Sequence, residues 1–385
     1  MNATLGVSRR SFINGALAAG GALLLGGRLT LGDTPAPGLI IRQKEPENFE
    51  MAFPTLADFI TPVERFYVRN HFPVPKLDLK TWKLRVEGAV EKPVELTLEE
   101  LKKLPSRTVT ATLECAGNSR VFLTPRASGV LWELGAVGNA EWTGVPLSAV
   151  LEKAGLRDAA VEVVLEGADS GEVREPQSPG AIAFARSLPV EKARKPEVLL
   201  AFQMNGKDLT PHHGWPLRAI VPGWYGMASV KWLTRLVVVD RPFDGFFQSL
   251  DYTVWKRTAG LPTLVPITEM EVKAEIARPS LGEVVKADGS YRVFGAAWAG
   301  ESEIAKVEIS TDGGQTWAEA KLLDRAVPFA WRFWEYTWKT PGKAGRHTLM
   351  ARATDRRGRV QPMKRDPDRR NYLISHVLPI EVEVK

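Results

Sequence analysis

The feature that most restricts the fold of this chain is a change in its hydrophobic period at Pro262 and Pro266. Ahead of these prolines strand and helix signals alternate; beyond them helical spacing stops. Residues 272–276, 291–298, 306–310, 347–354 and 380–384 are short apolar or alternating runs with Gly or Pro turns between them. Such runs bury their apolar faces by packing one sheet on another, so residues 263–385 are expected to form an all-β sandwich.

The part before the change is mixed. Trp82, Leu84 and Val86 alternate as a strand, and Thr97 with Glu100 makes a capping box that opens a short helix through Leu101 and Leu104. A strand over 108–113 ends at Glu114-Cys115-Ala116-Gly117. Pro146 occupies a first-turn position, Leu147, Val150 and Leu151 follow at helical spacing, and Gly155 stops the helix. Further strands are expected at 161–165 and 230–239. Residues 33–262 therefore read as one α+β domain, entered by a Pro-rich extended arm from Pro35 to Pro62.

The N-terminus reads as an address. Arg9 and Arg10 precede a small-residue apolar run over 16–27, shorter than the roughly 20 residues a membrane-spanning helix needs. Paired arginines ahead of a weakly apolar run resemble a twin-arginine export signal, taken as 1–32, with a periplasmic destination; an uncleaved anchor is the alternative. That route carries folded proteins, so a complex cofactor is expected.

Charge and cysteine usage narrow the chemistry. Lys and Arg number 51 against 45 Asp and Glu, a balance of +6 that makes nucleic acid an unlikely partner for a chain of 385 residues. One cysteine leaves no intramolecular disulfide, no iron–sulfur cage and no c-type haem attachment. A redox centre here must use another cofactor.

Three constellations stand out. Cys115 lies where a strand gives way to a turn, with Arg120 five residues on; a nearby cation favours the thiolate, the form that ligates soft metals, whereas an isolated buried Cys is an ordinary small apolar residue. Tyr67-Val68-Arg69-Asn70-His71, followed by Pro73 and Pro75, offers donors from a rigid loop suited to an anion. His212-His213-Gly214-Trp215-Pro216-Leu217-Arg218 precedes Ser229-Val230-Lys231-Trp232. Adjacent His ligands without Cys or carboxylates at zinc spacing argue weakly for zinc. His213, Arg218 and Lys231 read instead as a phosphate-binding set, with backbone N–H groups over 226–229 as further donors.

Together these segments resemble the sulfite oxidase family of molybdenum enzymes. The resemblance runs from about Tyr67 to the C-terminus and is most specific in Arg69-Asn70-His71, Glu114-Cys115-Ala116-Gly117-Asn118, Glu141-Trp142-Thr143-Gly144-Val145-Pro146-Leu147, His213-Gly214-Trp215-Pro216 and Val230-Lys231-Trp232. It implies a molybdopterin-binding domain followed by an immunoglobulin-like dimerisation domain, and hence a homodimer. Cys115 would bind molybdenum. Tyr67, Val68, Arg69, Asn70, His71, Asp169, His213, Arg218, Ser229, Val230 and Lys231 would hold the pterin and its phosphate. Arg69, Arg120, Trp142 and Tyr252 would form the pocket of the sulfur oxyanion. A further pocket arginine of animal members aligns with Asn371, although Arg369 and Arg370 lie beside it.

The resemblance implies oxidation of sulfite to sulfate at a molybdenum–molybdopterin centre, with no haem or iron–sulfur group. Electrons are then expected to pass to an external acceptor such as a c-type cytochrome. An alternative keeps the cofactor and changes the substrate, as in sulfane dehydrogenases or sulfoxide reductases. A third reading, of another class, is a non-catalytic binding module with vestigial motifs. Two features of the C-terminal part stay outside this scheme. Ser310-Thr311-Asp312-Gly313-Gly314-Gln315-Thr316-Trp317 fits the Asp-box turn of sialidases, usually a structural hairpin. The basic stretch over 352–370 is either a solvated face or an electrostatic guide for anions.

Overall fold

The computed structural model describes residues 38–323 and 325–385, which form one compact unit. The proposed export segment, with Arg9 and Arg10, lies outside the described residues. Among the described residues α-helix is sparse: Leu98–Lys102, Leu147–Ala154 and Val190–Ala193. The first begins at Thr97, whose hydroxyl accepts from the Glu100 N–H while the Glu100 carboxylate accepts from the Thr97 N–H, the expected capping box. The second ends at Gly155, whose φ of +70° suits glycine.

Two five-stranded sheets build the part before Pro266. In one, Lys207–Asp208, Leu199–Met204, Val137–Pro146 and Arg107–Glu114 lie side by side, with Arg218–Ile220 also paired to Leu199–Met204. In the other the order is Val94–Leu96, Leu84–Gly88, Leu233–Val239, Glu162–Gly171 and Ile182–Pro189. The strand expected at 230–239 begins only at Leu233, because Trp232 takes a left-handed φ of +49° that breaks the extended run. That kink leaves Val230 and Lys231 free of the sheet. The N-terminal arm also differs from expectation: Leu39–Gln43 and Asn48–Met51 pair as an antiparallel hairpin. Buried Glu50 fixes it by accepting the Gly135 N–H at 2.7 Å and the Glu133 N–H at 3.1 Å.

After Pro266 two sheets face each other. One runs Lys273–Arg278, Ser290–Trp298, Arg332–Lys339, Lys321–Leu322; the other runs Val284–Val285, Ile380–Val384, Gly345–Asp355, Ile304–Ser310, Ala318–Glu319. Phe333, Trp334 and Trp338 of the aromatic strand are buried, so its large rings serve the core. Asp312 behaves as an Asp-box residue: its carboxylate accepts from the Gln315 and Thr316 N–H groups at 3.0 Å.

The sandwich is joined to the first part by polar contacts at the same strand. Arg107–Glu114 runs from solvent at its start to full burial at its end. Near that end the Thr112 N–H donates to Phe329 O at 2.9 Å, and the Trp331 N–H donates to Thr112 Oγ1 at 2.8 Å. The strand thus carries the residue after it, Cys115, to the boundary between the two parts.

Candidate molybdopterin site

Cys115 is the point where two cavities meet. A cleft of about 650 Å³ lies on one side and a wider vestibule of about 1960 Å³ on the other. Four residues line both: Arg69, His71, Cys115 and Tyr252. Three strands and loops far apart in sequence converge there, because the sheet edge holding Cys115 is crossed by the Tyr67–His71 loop and by the π-turn Phe247–Asp251 that delivers Tyr252.

The inner cleft is cationic. Arg218, Lys231, His213, Asp169, Tyr67, Ser229 and Val230 line it. Arg218 donates to His213 O at 3.1 Å and Ser229 O at 2.9 Å, and Lys231 donates to Asn70 Oδ1 and to His212 O at 2.9 Å. Among the described residues neither cation forms a salt bridge with a carboxylate. Burial lowers Arg218 to about 10 and pushes Lys231 well below the usual lysine range, with the Arg218 charge adding to the effect. His213 is held neutral, lowered to about 3 by burial and by Lys231 and Arg218. Asp169 is raised to about 6 by burial against the opposing pull of Lys231. Two polar atoms of its lining residues are buried without a partner, Asp169 Oδ1 and His212 Nδ1, and so is Asn70 Nδ2 on the vestibule side. Unmatched donors, acceptors and buried cations are the reverse of what a folded core tolerates, and they mark a place for a polar anionic ligand.

Residues fit a pterin–molybdenum group on these grounds. The cleft offers cations for a phosphate and unpaired imidazole and carboxylate atoms for a heterocycle. Among the described residues no cluster of three His, Cys, Asp or Glu side chains is present. A metal at Cys115 would therefore draw its remaining ligands from a partner group, as a dithiolene supplies.

The vestibule side is basic as well. Arg120 is buried, its guanidinium donating to Asn371 O and Val130 O at 3.0 Å and lying 5.1 Å from the Tyr372 ring. Gly117 makes room for it: a Cβ there would collide with the guanidinium. Arg370 lines the same space, anchored by carbonyl oxygens of Leu250 and Asp251 and by Thr253 Oγ1. Arg369 turns away to pair with Glu271 at 2.9 Å. Tyr252 accepts or donates across 2.7 Å to His71 Nε2. Burial raises the phenol well above its usual value, so it is protonated at neutral pH, and burial with Arg69 keeps His71 neutral.

Three expectations are corrected. Trp142 does not line either cavity: it is fully buried, its indole N–H donates to Ala111 O at 3.3 Å, and Arg218 lies 4.9 Å from its ring. It floors the cleft cation instead of meeting substrate. Val68 also stays outside, because its N–H and C=O exchange 2.9 Å bonds with Phe49 of the arm hairpin. The N–H groups over 226–229 are in part spent inside their own turn, Ala228 on Tyr225 O and Ser229 on Gly226 O, while Ser229 Oγ accepts from Val221. Tyr67, Arg69, Asn70, His71, Asp169, His213, Arg218, Ser229, Val230, Lys231, Cys115, Arg120 and Tyr252 do gather around the two cavities.

Sequence reasoning passed over several residues. Asn48 of the arm is fully buried and its Oδ1 accepts from the Asn70 N–H at 2.9 Å and from Arg69 at 3.4 Å, orienting that pair. Arg186 donates to Phe247 O and to Ile267 O at 2.7 Å, clamping both ends of the segment that carries Tyr252. No local motif marks either one; an arginine between Ala185 and Ser187 in the otherwise largely apolar run Ile182–Pro189 was the available signal for the second.

Comparison with known proteins agrees with this geometry. Residues 71–247 match the oxidoreductase molybdopterin binding domain and residues 265–368 the Mo-co oxidoreductase dimerisation domain. The chain is 36% identical to a sulfite oxidase of Gallus gallus over 86% of its own length and 74% of that protein. It is 37% identical to a mitochondrial sulfite oxidase of Drosophila melanogaster over 83% of its length, spanning 58% of that relative. Its structure resembles the sulfane dehydrogenase SoxCD of Paracoccus pantotrophus with a TM-score of 0.76 at 29% identity, covering 91% of this chain and 86% of that one. The chain belongs to the sulfite oxidase family of molybdopterin oxidoreductases.

Proposed function

We propose that this protein oxidises sulfite to sulfate at a molybdenum–molybdopterin centre ligated by Cys115, works outside the cytoplasmic membrane as a homodimer, and hands its electrons to an external acceptor such as a c-type cytochrome. The observation that carries the reading is the neck between the cavities: Cys115 opens onto a vestibule walled by Arg69, Arg120 and Arg370, with a protonated Tyr252 beside them. A small dianion is what such a wall selects.

When bound, the cofactor supplies the two-electron acceptor and the oxygen chemistry. The chain's own part is binding and orientation. Arg69, Arg120 and Arg370 hold the oxyanion by charge-assisted hydrogen bonds, each worth about 1.5–3 kcal/mol in such settings. In the neutral His71 tautomer that carries its proton on Nε2, that N–H donates to the Tyr252 oxygen across 2.7 Å and leaves the phenol proton free to donate toward the vestibule. Tyr372, whose hydroxyl donates to Asp251 at 2.6 Å, braces the Tyr252 ring from 4.9 Å.

Purified protein loaded with cofactor tests the reading through sulfite-dependent reduction of cytochrome c together with molybdenum content. Stoichiometric metal with sulfite turnover supports it. A second reading, oxidation of sulfane sulfur on a carrier, is favoured by the likeness to SoxCD. Turnover of carrier-bound sulfur in preference to sulfite would select that reading.

A further inference from the structure

Behind Cys115, on the side away from both cavities, lies a second polar cluster that no catalytic role explains. Glu114 and Cys115 are consecutive residues of an extended segment and so face opposite ways. The Glu114 carboxylate is almost fully buried and saturated: Oε1 accepts from Lys273 Nζ and Asn118 Nδ2, each at 3.1 Å, and Oε2 accepts from Trp298 Nε1 at 2.9 Å. Lys273, 1% exposed, also donates to Ser119 Oγ at 2.9 Å and pairs with Glu275 at 3.0 Å. Lys273, Glu275 and Trp298 all come from the C-terminal sandwich, whereas Glu114, Asn118 and Ser119 bracket the Cys115 turn.

The turn has little freedom apart from these contacts. Ser119 holds a left-handed φ of +71°, and its hydroxyl bridges Lys273 and Glu275. Asn118 caps the turn by accepting from the Ala136 N–H at 3.0 Å while donating to Glu114. Leu373 donates to Ala116 O at 2.8 Å. Replacing this cluster with apolar residues would serve stability as well as a buried ion pair does, so its retention calls for a positional or electrostatic reason.

We propose that Lys273 is a positioning residue for the metal ligand: from the C-terminal sandwich it holds Glu114 and Ser119, and through them sets the orientation of Cys115 and the charge felt at its sulfur. The inference rests on the assignment of Cys115 as the molybdenum ligand. It makes the sandwich part of the catalytic unit as well as a dimerisation module.

The test uses full-length holoenzyme carrying Lys273→Met, Lys273→Met with Glu114→Gln, or Glu114→Gln alone. Melting temperature, molybdenum per chain, the EPR signal of half-reduced molybdenum, kcat and KM are read together. The double variant removes both charges of the Lys273–Glu114 pair but leaves buried Glu275 without its cation, so it should regain only part of the stability lost by Lys273→Met. Its EPR signal should nonetheless stay shifted, with kcat lower by about tenfold and KM within about twofold of wild type, as for loss of an outer support of a metal ligand. Glu114→Gln, which keeps the shape and removes one charge, should shift the signal in the same sense and serves if the double variant does not fold. Wild-type signal and kcat in either variant overturns the inference and reduces the cluster to a structural one. A wild-type enzyme that binds no molybdenum overturns the Cys115 assignment and this inference with it.

Discussion

Two buried polar clusters flank Cys115, and they are built on opposite rules. On the sandwich side Glu114, Lys273, Glu275, Asn118, Ser119 and Trp298 close on one another, with both charge signs present and their side chains mutually satisfied. On the cleft side Arg69, Arg218 and Lys231 lean on carbonyl and amide oxygens, and Asn70, Asp169 and His212 each leave a buried atom unpaired. Desolvation raises the cost of charge in both places, yet only the first cluster compensates it from within. A closed polar set belongs to the fold; an open one in which cations outnumber carboxylates is completed by a ligand.

That contrast can be broken by substitution, beginning at the residue between the clusters. Cys115→Ser should lower sulfite turnover by roughly a thousandfold or more, a small fraction of the span of enzymatic rate enhancements, with the melting temperature little changed; full turnover would remove Cys115 from the metal. In the closed cluster, Lys273→Met should destabilise by about 3–5 kcal/mol, as when one partner of a buried pair is deleted. Denaturant unfolding of the apo-protein measures it, and a loss below the range of ordinary surface changes would show that the cluster is not closed.

Smaller effects sharpen the comparison on the open side. Arg370→Met should raise KM for sulfite about 10- to 100-fold, the worth of a charge-assisted bond, with a lesser effect on kcat; Arg369→Met should leave steady-state kinetics unaltered. His213, held neutral at a pKa of about 3 against 6.5 in the unfolded chain, contributes stability that is complete above about pH 6.5 and lost as pH falls toward 3. Unfolding of the apo-protein at pH 6.5 and 4.5 should therefore differ by about 2–3 kcal/mol more in wild type than in His213→Gln. Lys231→Met should do the reverse of its counterpart in the closed cluster. Removing an uncompensated buried charge should leave apo-protein stability unchanged or raised by about 1 kcal/mol, while molybdenum content falls. Destabilisation comparable to that of Lys273→Met would place Lys231 among the fold residues.

Much of the site was legible because its residues lie in short motifs. Glu114-Cys115-Ala116-Gly117-Asn118 and Arg69-Asn70-His71 could be matched as strings, and the capping box at Thr97 and the glycine stop at Gly155 follow from local hydrogen-bonding rules. Trp142 shows the limit of matching by string. Its position was recognised, but which cavity an indole faces depends on the register of Val137–Pro146 between two neighbouring strands, and that register turns it under Arg218. Asn371 and Arg370 show the same limit at single-residue resolution. The alignment favoured the position of Asn371, whereas it is Arg370, at a left-handed φ of +55°, whose guanidinium lies on the segment that holds Tyr252.

Sequence alone determined the period change at Pro262 and Pro266, the mixed and all-β composition on either side of it, and the identity of the groups able to bind a metal and anions. Those are consequences of side-chain chemistry and of spacing over a few residues. Only the tertiary structure decided which cations remain unmatched, which arginine enters the vestibule, and that Lys273 reaches Glu114 across 159 residues. The reason is that pairing of buried charge is settled by which strands come to lie side by side, and a contact between distant segments leaves no trace in the local pattern of either.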